Sequence, residues 1–423
     1  MHRANMAKEP AAAASAMPSP LPFPLPHSSA PSTPGDRPLR HLVQVGFWAP
    51  SMAFLRRCHE AGIQVHLLRH GNGPQRMPLP SAAITSDGGV LRWEEVNTAS
   101  GMERIVAFVQ RVQADAICTD DEFMLYWLAS HRHRFEPQCR VMASPATAIA
   151  RLMQKSEQTE LAREAGFPVL PSWLLHSRAD ADSVPANGFP LCLRPTHMNS
   201  VTPGFKAHRV DSLAGLHSFL GGLIWSSPLL AQPFCLGPNL VLHGVRSTEG
   251  RVLTLQCFRA YRKYKGFALS IERYELPPAL RQAAERFAHL ANLHGPFHFD
   301  LLQSPETGEI FFLEVNYRMG GTTPKVIQLG YDEPMLALAA FGLRPPHRPA
   351  PLRATRRVTG KRMLAGQISS SLRRAPGELD FPQHSRLRIF LSGLWEFLTV
   401  PDAILSRKDL RGSLYYLRRG GRM

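Results

Sequence analysis

Long apolar runs are missing from this 423-residue chain, and no uninterrupted stretch approaches the ~20 residues needed to cross a bilayer. Cysteine is sparse. Cys58, Cys118, Cys139, Cys192, Cys235 and Cys257 are scattered singly with no C-x-x-C pair, which argues against a zinc or redox centre and against a disulfide framework. The 18 histidines include no H-E-x-x-H, and His294 with His298 lacks further ligands at metal-binding spacing. No G-x-G-x-x-G follows the first apolar strand, so a dinucleotide site is unsupported there. The N-terminal alanine cluster is shorter than the roughly 7–15 residue apolar centre of a secretion signal, and a cytoplasmic protein is expected. Acidic residues are also scarce, 33 against 49 Lys and Arg, for a net charge of +16. The excess is local: residues 344–423 hold 17 Lys or Arg against 5 Asp or Glu, and the rest of the chain is near balance. No nucleic-acid partner is therefore expected of the body of the protein. An adaptor role toward membrane or nucleic acid would have to reside in the basic C-terminal end.

What is present, 44 % hydrophobic residues, suffices for two or three packed units. Residues 1–38 are rich in Pro, Ala and Ser and are expected to form a disordered tail. Residues 39–145 alternate strand and helix patterns: HLVQV, SMAFLRRCHEAG, IQVHLL, ERIVAFVQRVQ, ADAICT, EFMLYWLASHRHRF. This order predicts a small parallel α/β domain. Residues 146–343 read as α+β. One long helix, TAIARLMQKSEQTELAREAG, is closed by Gly166 and followed by the strand patterns FPLCLRP, KAHRVD, LLAQPFC, NLVLHGV and RVLTLQCFRAY. A second helix then precedes a hairpin, FHFDLLQ and EIFFLEVN, that turns on SPETG. Residues 344–423 form a Pro- and Arg-rich linker and a helical segment, in which Leu387, Phe390, Leu391, Leu394, Trp395 and Leu398 line one side of a helix. That stripe is expected to pack on its own protein; peripheral contact with an anionic membrane surface is the other reading.

The hairpin carries the chemistry. Turning about Thr307 and Gly308, it places Asp300 opposite Glu314, with Asn316 on the same face as Glu314. Two carboxylates and an amide oxygen suit magnesium, which takes one or two carboxylates and completes its shell with nucleotide phosphates.

HFDLL with FFLEVNYRMGG resembles the metal-binding signature of the ATP-grasp superfamily, an acid on one strand paired with E-x-N-x-R on the next. Other segments resemble that family in the same order over roughly residues 40–343. RLMQKSEQTELAREAGFPVLPSW resembles its opening helix, with Lys155 at the phosphate-binding place. FPLCLRPTHMNSVTPGFKAHRV resembles the strand, covering loop and strand over the triphosphate. LLAQPFCLGPNLVLHGV resembles the hinge strand that meets adenine. Two departures stand out: Arg194 occupies a position usually held by lysine, and Asn239 one often held by a ribose-binding acid.

The resemblance implies a pre-ATP-grasp α/β domain, a two-subdomain ATP-grasp fold of the carboxylate-amine or thiol ligase kind, and a basic C-terminal extension. It implies a magnesium-ATP site, with manganese as an alternative metal held by Asp300, Glu314 and Asn316. Nucleotide contacts would come from Lys155, Arg194, Ser200, Gly204, Gln232, Pro233, Phe234 and Asn239. Lys155, Arg194 and Arg318 would stabilise the transferring phosphoryl group. The implied reaction is ADP-forming ligation of a small carboxylic acid to an amine or other nucleophile. An ATP-binding regulatory protein that kept the fold without the reaction is the alternative. Arg259, Arg262, Lys263 and Lys265, in CFRAYRKYKGFALS, form either a cluster for an anionic substrate or an exposed basic loop.

Overall fold

The structure is a computed structural model that describes residues 39–71, 79–96, 98–196, 201–202, 205–225, 227–343 and 356–419. The expected N-terminal tail, Ser200 and Gly204 lie outside the described residues.

Strands β1 (His41–Val45), β2 (Gln64–His70), β3 (Ile84–Leu91), β4 (Ala116–Thr119) and β5 (Arg140–Val141) form a parallel sheet in the order β3-β2-β1-β4-β5. The connections reverse direction between β1 and β4, which opens a crevice at the carboxyl ends of those two strands. Gly46 ends β1 at a φ of 83°, where a Cβ would fall 2.4 Å from His70 Nε2, so the turn requires glycine.

A second sheet holds β6 (Trp173–Leu175), β7 (Leu191–Pro195), β9 (His208–Val210) and β11 (Leu229–Pro233), and a small ribbon pairs β8 (Val201–Thr202) with β10 (Ile224–Trp225). The helix Leu213–Gly221 closes a separate core over this sheet with Leu216 and Leu220. The third sheet is antiparallel and six-stranded: β12 (Asn239–Arg246), β13 (Val252–Tyr264), β14 (Phe267–Tyr274), β15 (Gly295–Gln303), β16 (Ile310–Asn316) and β17 (Arg357–Thr359), in the order β16-β15-β12-β13-β14-β17. Phe287, Phe297, Phe299 and Phe312 pack edge to face and stacked beneath it.

Three expectations are corrected. The single helix over residues 147–166 is two helices, Ala146–Leu152 and Lys155–Ala165. Gln154 leaves helical geometry, and the Gln158 side chain donates to the orphaned Leu152 carbonyl at 2.6 Å, which stabilises the break. The segment holding Arg259 to Lys265 is neither one cluster nor a loop; it is the β13–β14 hairpin, turned at Lys265 and Gly266, both with positive φ. Arg262 is buried there against Glu396 at 2.7 Å, whereas Arg259 pairs with Glu272.

The apolar stripe of the helix Arg386–Thr399 is the third. Leu387, Leu391, Leu394, Trp395 and Leu398 are 41–71 % exposed, and the helix instead buries Ile389, Gly393 and Glu396 against the helix Lys361–Ser371. Glu396 and Ser392 find Arg262 inside, and Gly393 lets Ile368 approach closely, so a polar anchor and a small residue select the buried face. No helix among the described residues is long and apolar enough to cross a membrane.

Candidate active site

In the β15–β16 hairpin Asp300 stands opposite Glu314, and His298 opposite Asn316. Strict alternation would put Glu314 on the same face as the core residue Phe312. A bulge prevents this. The register passes from Glu314 to Phe312 while its partner advances only from Asp300 to Leu301, so Leu313 is the extra residue. Ile310 and Phe312 therefore point into the core below the bulge, and Val315 above it. Glu314 and Asn316 turn to the Asp300 face, where Asn316 Nδ2 lies 3.4 Å from Asp300 Oδ2.

Strand β16 is the edge of its sheet, and the chain covers that edge in two places. The Phe312 N–H donates to Pro168 O at 2.9 Å. Gln158 accepts from the Val315 N–H at 2.9 Å and donates to the Val315 carbonyl at 3.2 Å. The second contact fixes the start of the Lys155–Ala165 helix and brings Lys155 Nζ to 3.2 Å from Glu314 Oε2.

Arg194 joins the two antiparallel sheets. Its guanidinium donates to Gln232 Oε1 at 3.0 Å and to the carbonyl of the bulge residue Leu313 at 2.9 Å, and lies 3.6 Å from Glu314. Gln232 in turn donates to Ser172 Oγ at 2.9 Å. Beyond Gln232, Pro233 has no N–H, and the Phe234 N–H is already donated to Pro190 O at 2.6 Å. The Arg209 guanidinium lies over the Phe234 ring. Asn239 opens β12 and accepts from Lys263 Nζ at 2.8 Å.

The electrostatics follow from this arrangement. The positive charge of Lys155, then of Arg194 and Lys206, holds the Glu314 carboxyl well below its ordinary range against the effect of burial. Burial and the adjacent Glu314 charge push Asp300 up to about 6. Burial lowers Lys263 to about 8. One wall of the site is thus two close carboxylates with an amide, and it faces Lys155, Arg194 and Lys206.

Arg318 reaches toward the first sheet and pairs with Glu122 at 3.0 Å. Its neighbour there is Asp120, at the crevice between β1 and β4, which accepts hydrogen bonds from Trp48 Nε1 and the Ser51 hydroxyl. Behind Arg318 stands a buried column. His243 bonds Glu333 at 2.7 Å and Thr322 at 2.9 Å and stacks on His298, while a Cβ on Gly320 would fall 2.3 Å from the His298 ring. Gly320 therefore rests directly on the imidazole, which fixes the turn after Arg318. Burial, with the neighbouring His243 and Arg318, keeps His298 far below its usual value and hence neutral.

The structure brings Lys155, Arg194, Gln232, Asp300, Glu314 and Asn316 into one constellation; Asn239 borders it through Lys263, and Arg318 stands at the side of the first sheet. Sequence reading missed Gln158, Lys206 and the Asp120–Glu122 pair. The turn signal TDDE after β4 marked the acids, but only the packing brings them to Arg318.

No protein-family model matches the chain, and no curated protein matches it. Solved structures do. The biotin carboxylase domain of the Hydrogenobacter thermophilus 2-oxoglutarate carboxylase, in complex with ADP, magnesium and bicarbonate, superposes with a TM-score of 0.57 at 15 % identity, over 76 % of this chain and 74 % of that one. An ADP complex of N5-carboxyaminoimidazole ribonucleotide synthetase gives a TM-score of 0.57 at 12 % identity, over 75 % and 81 %. The L-amino acid ligase from Bacillus licheniformis gives 0.57 at 16 %, over 76 % and 79 %. With a parallel sheet followed by two antiparallel sheets that face each other across Arg194 and Glu314, the chain has the ATP-grasp fold.

Proposed function

We propose that this protein is an ATP-dependent, ADP-forming ligase that activates a substrate carboxylate as an acyl phosphate for attack by an amine or another nucleophile. The reading is carried by the convergence of Lys155 and Arg194 on Glu314, which stands opposite Asp300 and two residues before Asn316 on the same strand. Two adjacent carboxylates, one with a raised pKa, form a natural cation site, and the neighbouring lysines and arginine favour the phosphates of the same ligand. No group of three or more His, Cys, Asp or Glu among the described residues forms a metal cage. That donor set fits magnesium or manganese completed by phosphate oxygens better than zinc.

Asp300, Glu314 and Asn316 would hold the metal, which supplies charge neutralisation to the phosphates. Lys155 and Arg194 would bind phosphate oxygens. Adenine would lie by Gln232, Pro233 and Phe234, using groups other than the Phe234 N–H. Asn239, oriented by Lys263, would meet the ribose. The substrate carboxylate oxygen attacks the γ-phosphorus as the bond to ADP breaks; the nucleophile then adds to the acyl carbon, loses its proton, and phosphate leaves. Arg318 would neutralise charge on that acyl phosphate. The crevice by Asp120 and Glu122, with its carboxylates, suits an amine nucleophile.

The experiment offers magnesium-ATP with pooled carboxylic acids and amines to the purified chain and follows ADP release and new product masses. Glu314→Gln should reduce magnesium-nucleotide affinity by roughly a hundredfold. A folded wild-type protein that binds no magnesium-ATP would sink the proposal, and one that binds it without turnover on any pair would favour the regulatory alternative.

A further inference from the structure

The helix Arg386–Thr399 is amphipathic in the reverse sense. Its inward face is held by the buried Arg262–Glu396 ion pair, and its leucines and Trp395 face outward. At about 100° per residue, Leu387, Leu391, Leu394 and Leu398 fall in an arc of roughly 60°, with Trp395 beside them. Arg386 and Arg388 lie about 100° to either side of Leu387, so exposed cations flank the stripe at one end. Arg386 donates to the carbonyls of Ser371 and Leu372, which brings exposed Leu372, Arg373 and Arg374 alongside.

The charge on this segment is one-sided. Of the acids in residues 356–419, Asp380, Glu396, Asp402 and Asp409 are held in internal hydrogen bonds, and Glu378 alone is exposed. Arg356, Arg373, Arg374, Arg386 and Arg388 are all exposed. The helix Leu410–Arg419 repeats the composition, with exposed Leu410, Leu414 and Leu417 beside Arg411 and Arg418.

We propose that this C-terminal face docks on the surface of a bilayer containing anionic phospholipid. The leucines and Trp395 would enter the acyl boundary while the arginines remain at the headgroups. A bilayer offers apolar contact and negative charge together. A second copy of the chain would instead set the same arginines against one another. The proposal is independent of ATP chemistry and is tested without nucleotide.

The test is flotation of the full chain with vesicles of phosphatidylcholine alone and of phosphatidylcholine with phosphatidylglycerol, at low and high salt. Binding is expected on the anionic vesicles and should weaken with salt. Arg373→Glu with Arg374→Glu should weaken it on the order of tenfold or more. Leu391→Glu with Trp395→Glu, on exposed positions, should abolish it while the circular dichroism spectrum and melting temperature stay unchanged. Failure of the wild-type chain to float with anionic vesicles would overturn the proposal, as would binding that survives both double substitutions. Concentration-dependent dimerisation that Leu391→Glu with Trp395→Glu removes, without vesicle binding, would assign the face to a second copy instead.

Discussion

Lys155 and Glu314 lie 3.2 Å apart across the junction of a helix and an edge strand, and Arg194 approaches the same carboxylate from a different sheet at 3.6 Å. Three elements distant in the chain thus meet at one acid. Arg194 is placed by its own hydrogen bonds to Gln232 and Leu313, and Lys155 by the bonds that Gln158, on the same helix, makes to Val315. The site is therefore held together before any ligand enters.

Arg194→Lys would introduce the residue usual at this place in the ATP-grasp proteins that the sequence resembles, yet it should impair this protein. A single ammonium cannot replace the fork that reaches Gln232, the Leu313 carbonyl and Glu314 together. Isothermal titration should show magnesium-ATP affinity falling by about tenfold. Unchanged affinity would mean that the fork serves only the sheet junction.

Gln158→Leu removes both hydrogen bonds to the Val315 backbone and the bond to Leu152 O. These edge and helix-end groups are buried, so a loss of about 2–3 kcal/mol is expected in urea denaturation. The Michaelis constant for ATP should rise as Lys155 loses its register. A stability change alone, with ATP kinetics intact, would separate the strand cover from the phosphate contact.

Asp300 gives the site a pH dependence. Its carboxyl is pushed up to about 6 by burial and by Glu314, and under the proposed function a proton on it would compete with the metal ion. Magnesium-nucleotide affinity should be level above that value and fall on acidification, approaching about tenfold per pH unit well below it. Asp300→Asn should flatten this fall and weaken binding throughout; calorimetry across the range reads both. Affinity level down to pH values well below 6 would show that Asp300 does not ligate.

Glu396→Ala leaves Arg262 charged and buried without its partner, at side-chain exposures of 2 % and 5 % for the pair. A loss of about 3–5 kcal/mol is expected from denaturant unfolding. Limited proteolysis should then cut within residues 372–385. Resistance equal to wild type would show that packing of Gly393 against Ile368 suffices to hold the helix.

The sequence by itself determined the alternating elements of the first sheet, the hairpin carrying Asp300 and Glu314, and the order of segments that resembles ATP-grasp proteins. Local periodicity and turn chemistry encode these, since they depend on neighbours in the chain. Tertiary structure decided the rest. The bulge at Leu313 has no sequence mark, because it arises from pairing with β15, yet it turns Glu314 and Asn316 away from the core. The helix break before Lys155 depends on Val315, more than 150 positions away, drawing Gln158 to the strand edge. An apolar stripe signals burial only while nothing better fills the inner face. In the Arg386–Thr399 helix the long-range pair of Arg262 with Glu396 took that face and left the leucines and Trp395 outside.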